Sequence, residues 1–200
     1  LRSLDAPQKQ EALKAIFQGV RHGPRLVNQL LSLSSAEAAV QHPRPPVPVN
    51  LVDMVQLVLE EQAALAQSKD IDLGLDLQTD RVELLASSSM LHELVANLVD
   101  NALRYTPPKG VVTISVRRLA ELVILRVEDN GPGIPAKDRA RVFERFCRLH
   151  DDDIQGCGLG LSIVQEIAVA LGAEVQLSDP PTGTGLVVTL VFPPAPSAAD

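Results

Sequence analysis

The stretch VEDNGPGIP, Val127 to Pro135, ends an apolar run with an acid, an amide and two glycines. Asn130-Gly131 is a strong hairpin dipeptide and Pro132-Gly133 a second turn dipeptide, so a plain turn is one reading. The other is a ligand-binding corner, in which Asp129 offers a fixed hydrogen-bond acceptor and the glycines let backbone approach a flat ligand. Segments on either side decide between them.

Immediately upstream, LVILRVED and VVTISVRRL read as two strands joined by a tight turn near Ala120-Glu121, a hairpin that requires antiparallel pairing. Before them a helix is expected to begin near Ser87, Ser88 or Ser89, any of which suits the cap. It carries Leu91, Leu94, Val95, Leu98 and Leu103 on one face. Further back lie a short strand from Val82 to Ala86, an alternating segment with Ile71, Leu73, Leu75 and Leu77 on one side, and the amphipathic helix LVDMVQLVLEEQAALAQSK. Downstream, the pattern predicts a short helix up to Phe146, a polar stretch, the glycine-rich GCGLG, a helix to Leu171 and two closing strands. The fold class is α/β, with a mixed, mainly antiparallel sheet and helices.

Residues 1–40 read as a long helix, because Leu13, Ile16, Val20, Val27, Leu30 and Ser34 keep one face for packing. Pro24 interrupts it and is expected to bend it near Val20 to Gly23. The prolines of QHPRPPVPVN make residues 41–48 a stiff linker. A catalytic-sized domain is expected over 49–194, with a short tail at 195–200.

A 200-residue chain that is 46% hydrophobic can bury a proper core. Its net charge of −7 argues against a nucleic-acid-binding surface, and with aromatics at 2% few rings are left to stack on bases. Cys147 and Cys157 have neither metal nor redox spacing, which suits a reducing cytosol. No apolar run approaches the ~20 residues of a membrane span, and no signal peptide is visible. A soluble, cytoplasmic chain is expected, compatible with an origin in a membrane protein.

Chemistry concentrates in three places. Asn97 and Asn101 are four apart on one helix and share a face, with Arg104 and Tyr105 one turn on. A single asparagine there reads as a hydrogen-bonded core residue; two shift the balance toward a ligand. An amide oxygen suits Mg²⁺, which takes most of its other ligands from water and substrate phosphates, and Arg104 can offset phosphate charge. The third place is GCGLGLSIV, Gly156 to Val164, where Gly156, Gly158, Leu159 and Gly160 run into a helix N-terminus and can turn backbone amides toward an anion. It is not a P-loop, because no lysine and hydroxyl pair follows. Nor is it the dinucleotide fingerprint, because it does not directly follow a strand.

The ordered set HELVANLVDNALRYTP, VEDNGPGIP, RVFERFCR and GCGLGLSIV resembles the N, G1, F and G2 boxes of the ATP-binding domain of sensor histidine kinases, across roughly residues 49 to 192. The resemblance implies a Bergerat-type two-layer sandwich, preceded by a dimerisation helix, with ATP and Mg²⁺ as cofactors. It implies that Asp129 reads the adenine amino group, that Asn101 binds Mg²⁺ and that Asn97 and Arg104 line the phosphates. Tyr105 would flank the adenine, Gly131 and Gly133 would leave room for the ring, and Gly158 and Gly160 would anchor a lid. Phe143 and Phe146 would pin the lid's far end, though core packing explains them equally well. Asp151, Asp152 and Asp153 read as a solvated surface. Cys147 stands where a tyrosine is common in the family.

The same resemblance makes residues 6–38 similar to the second helix of the kinase dimerisation hairpin. The phosphoacceptor histidine would lie on the first, in a segment like HELRTP. Neither His22, His42, His92 nor His150 has that context, so the chain is expected to be a fragment that starts after, or within the end of, that first helix. In the related ATPases the position of Asn97 is a glutamate that activates water; an amide cannot take that proton. The implied activity is transfer of the γ-phosphate to a histidine outside the chain and then to a response-regulator aspartate. The implied partners are a receiver domain and, in the full-length protein, a second copy, with no nucleic acid. The alternatives are a GHKL-type ATPase and a non-catalytic nucleotide-binding or dimerisation module.

Overall fold

The computed structural model describes residues 46–149, 158–181 and 183–193. The expected dimerisation helix with its Pro24 bend, His22, His42, His150, Asp151 to Asp153, Gly156, Cys157 and the tail from 195 lie outside the described residues.

The described chain runs β1 (Val47–Asn50), α1 (Leu51–Ser68), β2 (Asp72–Leu77), β3 (Glu83–Ala86), α2 (Ser88–Tyr105), β4 (Val111–Leu119), β5 (Leu122–Asp129), two 3₁₀ turns (Ala136–Asp138 and Arg141–Phe143), α3 (Gly160–Ala170), β6 (Glu174–Ser178) and β7 (Leu186–Phe192). Five strands form one sheet in the order β2-β4-β5-β7-β6, while β1 and β3 make a separate antiparallel ribbon. Within the sheet only β2 pairs with its neighbour in parallel. That pairing is allowed because β3 and α2 intervene between β2 and β4, long enough for a crossover.

Alternation along β5 buries Val123, Leu125 and Val127, and β4 and β7 bury Val112, Ile114, Val116, Val188 and Leu190 alongside them. Leu51, Val55 and Val58 of α1, Leu91, Leu94, Val95 and Leu98 of α2, and Ile163, Val164 and Ile167 of α3 belong to the same core. The result is two layers, helices on one face of a sheet. Asn50 starts α1 by accepting from the Val52 N–H at 3.2 Å, and its Oδ1 also takes the Val82 N–H at 3.0 Å, which ties the ribbon to the helix.

Two expectations differ from what is observed, and one of the two open readings of the VEDNGPGIP corner falls. The short helix before Phe146 is two 3₁₀ turns rather than an α-helix; Pro135 at its start and the extended backbone at Glu144 leave no room for sustained i to i+4 bonding. The ribbon takes in Val47 and Pro48, which the proline pattern had assigned to a linker; an edge strand tolerates proline. Asn130-Gly131 makes no hairpin. Asn130 instead folds back on β4, its N–H donating to the Val111 carbonyl at 3.2 Å and its Oδ1 accepting from the Val111 N–H at 2.8 Å.

Candidate functional site

Strand phase sets the centre of the site. Asp129 ends β5 in the same alternation as Val123, Leu125 and Val127, so its carboxylate points into the helix layer and is only 6% exposed. The Gly131 N–H donates to its Oδ1 at 2.8 Å. Burial pushes this carboxyl above the usual range, the Gly131 and Leu186 backbone N–H groups act in the opposite direction, and the neighbouring charge of Glu128 adds to the rise. A carboxylate has more acceptor positions than these amides use, so it can still take a donor from a ligand.

A pocket opens over Asp129 between α2, β5, β7, the segment after β5 and the start of α3. Apolar walls come from Val127, Ile134, Val142, Leu186 and Val188; Arg104 and Arg148 bring positive charge. Pairing of Asp129 with Leu186 across β5 and β7 places that wall.

α2 brings Asn101, Arg104 and Tyr105 to the pocket. Arg104 Nη2 lies 3.4 Å from both oxygens of Asp100, one turn earlier. Tyr105 is 38% exposed. Asn101 Nδ2 is buried and has no hydrogen-bond partner among the described residues. A Cβ on Gly160 would stand 2.5 Å from both terminal atoms of that amide, so glycine is what lets the start of α3 abut Asn101. The asparagine helix and the glycine-rich segment thus meet at one point.

The other candidate residues fall around this centre. Asn97 is not on the pocket wall; it sits one turn before Asn101 and its Nδ2 donates to the Glu93 carbonyl at 2.9 Å. Gly133 and Gly158 line the pocket, both in the left-handed region at φ 71° and 68°. The space beside Gly131 is filled by protein, because a Cβ there would lie 2.8 Å from the Tyr105 carbonyl oxygen and 2.9 Å from Asp129 Oδ1. Its smallness therefore serves the close approach of the chain to the end of α2. Leu159 has a fully buried side chain in the core. Phe146 is 62% exposed, and its N–H donates to the Gly158 carbonyl at 2.9 Å, tying the two sides of the pocket mouth. His92 bonds Glu61 of α1 at 2.9 Å, about 20 Å along α2 from Tyr105 by helical rise. Sequence reasoning missed Leu186 and Lys69; the first is paired to Asp129 only through sheet register, and the second reaches the end of α2 only through tertiary contact.

Residues 86–196 match the family model described as histidine kinase-, DNA gyrase B-, and HSP90-like ATPase. The sensor protein kinase PmrB of Pseudomonas aeruginosa is 36% identical over 196 residues, a match that covers 96% of this chain and 40% of PmrB. The chain thus spans about two fifths of the length of PmrB, and of the sensor protein QseC of Escherichia coli, to which it is 36% identical over 180 residues. Among solved structures, the mycobacterial sensor histidine kinase MprB superposes with a TM-score of 0.66 at 30% identity, covering 76% of this chain and 99% of that one. Full-length ShkA, in complex with AMPPNP, does so with a TM-score of 0.75 at 28% identity, covering 99% of this chain and 41% of ShkA. The family match takes in α2, the Asp129 corner and the glycine-rich start of α3, and on it the chain belongs to the histidine kinase-, DNA gyrase B- and HSP90-like ATPase family.

Proposed function

We propose that this domain holds Mg-ATP and presents its γ-phosphate to a histidine of a sensor kinase, from which the phosphoryl group passes to a response-regulator aspartate. The observation that carries the reading is the buried Asp129 carboxylate at the floor of a pocket that also joins Asn101 to Gly160. An acceptor there suits the amino group of adenine, and the apolar walls suit its ring. Asn101 would hold Mg²⁺. The chemistry of the site fits that ion through the amide oxygen: Asn101 lines the pocket, and Gly160 leaves the space beside its amide free of a side chain. No group of three or more His, Cys, Asp or Glu among the described residues could hold a metal unaided. One protein ligand supplemented by phosphate oxygens and water is the usual arrangement for Mg²⁺. Bound there, the ion would neutralise phosphate charge; Arg104 does the same from the last turn of α2. Tyr105 covers the adenine side. The domain's work is positioning and charge stabilisation, since phosphoryl transfer asks little else of a protein.

Asn97 favours kinase over ATPase. Its amide is engaged with the Glu93 carbonyl and has no basicity to activate water. The partners of this reading are a receiver domain and a second copy of the full-length protein, and its setting is the cytoplasmic side of a membrane sensor. No described helix is long and apolar enough to cross a membrane.

The test is transfer. With γ-labelled ATP the 200-residue chain should neither label itself nor hydrolyse ATP at an appreciable rate. A separate helical hairpin carrying a histidine in an HELRTP-like segment should become labelled, slowly, because the effective concentration of a tethered helix is lost. Labelling on His92, or rapid hydrolysis without the hairpin, would overturn the reading.

A further inference from the structure

Two of the three α-helices among the described residues close their last carbonyls with their own backbone. α1 turns left-handed at Asp70, φ 56°, so that the Ile71 N–H reaches the Ala66 carbonyl at 2.9 Å and the Asp70 N–H that of Gln67 at 3.1 Å. α3 repeats the motif at Gly172, with Ala173 to Ala168 at 2.8 Å and Gly172 to Val169 at 3.1 Å. α2 is denied it. Its C-cap is Thr106, and the two residues that would supply the N–H groups are Pro107 and Pro108, which have none.

The carbonyls at the end of α2 are taken by a side chain from elsewhere. Lys69 Nζ donates to Leu103 at 2.5 Å, to Arg104 at 2.9 Å and to Thr106 at 2.9 Å. Three ammonium hydrogens meet three acceptors, and a cation stands at the negative end of the helix dipole. Lys69 can do this because it is the C-cap of α1, anchored by the turn at Asp70, whose carbonyl accepts from the Lys109 N–H at 2.9 Å just beyond the prolines. Burial lowers its pKa, and the attraction of Asp100 offsets part of that. Asp100 is also the carboxylate beside Arg104. The three acceptors bracket Tyr105 and include Arg104 itself, the two α2 residues that bring a guanidinium and a phenol to the pocket.

We infer that Lys69 is a positioning residue of the nucleotide site: by closing the proline-blocked end of α2 through three carbonyls, it sets where Arg104 and Tyr105 stand. The inference rests on the reading of the pocket as an ATP site. A cap that served stability alone would lower Tm and leave ligand preference untouched. A positioning role predicts a larger loss for ATP than for adenosine, because Arg104 faces the phosphates whereas Asp129, the polar contact to adenine, is carried on β5 rather than on α2.

The experiment compares the 200-residue chain with Lys69→Met and Lys69→Arg by calorimetry with Mg-ATP and with adenosine. Acrylamide quenching of the emission of Tyr105, the one tyrosine in a chain without tryptophan, is read in parallel. Lys69→Met should bind ATP about tenfold more weakly and adenosine less than about threefold more weakly, with Tyr105 more accessible to quencher. Lys69→Arg, which keeps the charge and several donors, should recover most of the ATP affinity. If the unmodified chain does not bind ATP, the ATP reading itself falls. If it binds ATP but Lys69→Met changes neither the ATP-to-adenosine ratio nor Tyr105 quenching, the positioning role is overturned. Should Lys69→Met not fold, Lys69→Gln is held to the same limits, and failure of both to fold would mark Lys69 as a stability determinant and overturn the inference.

Discussion

Asp129→Asn should weaken ATP binding by about 1.5–3 kcal/mol, roughly ten- to 150-fold, which is the scale of a hydrogen bond to a charged group. The same substitution should raise Tm at neutral pH. Burial is the largest influence on this carboxyl and raises its pKa, so between the unfolded and the folded value the folded state binds more protons than the unfolded. Stability therefore falls as pH rises through that window, and above it the buried charge costs the fold. An amide carries no charge, so the variant escapes the cost. The difference in Tm should close as pH drops below the ordinary carboxylate range, where the native side chain is neutral in both states. ATP affinity of the unmodified chain should fall in the same direction, beginning above the ordinary carboxylate range, because protonation removes an acceptor. Calorimetric titration and thermal scans across pH check both halves. Undiminished ATP affinity in the variant would remove Asp129 from the site.

Asn101→Ala should cut phosphoryl transfer to the histidine hairpin by on the order of a hundredfold or more, the scale seen when a group stabilising transition-state charge is removed. It should also make the remaining ATP binding insensitive to Mg²⁺. Stability should change far less than transfer, because the buried Nδ2 has no hydrogen-bond partner among the described residues. Transfer and Tm thus separate a metal ligand from a packing residue. A large drop in Tm with normal Mg²⁺ dependence would assign Asn101 to the core instead.

Local pattern made much of this domain legible. The period of 3.6 in α2 and the period of 2 in β5 placed the asparagines on one helical face and Asp129 at a strand end, and the structure brings Asn101, Arg104, Tyr105, Asp129, Gly133, Gly158 and Gly160 to one pocket. What periodicity could not supply was register. Leu186 faces Asp129 only because β7 pairs with β5 at that offset, and nothing near Leu186 in the chain announces it. Of the two readings of Asn130-Gly131 the hairpin is not the one observed, because the asparagine's hydrogen bonds go to Val111 of β4, nineteen residues back. Gly131 was read as room for a ring, whereas its neighbours are the Tyr105 carbonyl and Asp129, contacts set by helix-to-strand packing. Lys69 looked like an ordinary end to an amphipathic helix; only the two prolines after Thr106, read with tertiary contacts in hand, show why a distant ammonium is needed there.

If the proposed function holds, the buried Asp129 carboxylate selects adenine. The most direct measurement is calorimetric titration of the unmodified chain with Mg-ATP and with Mg-GTP under identical conditions. Guanine presents a carbonyl where adenine presents its amino group, and two acceptors facing each other lose a hydrogen bond and leave Asp129 unpaired. ATP should bind at least about tenfold more tightly than GTP; equal affinity for the two nucleotides would show that Asp129 does not read the adenine amino group.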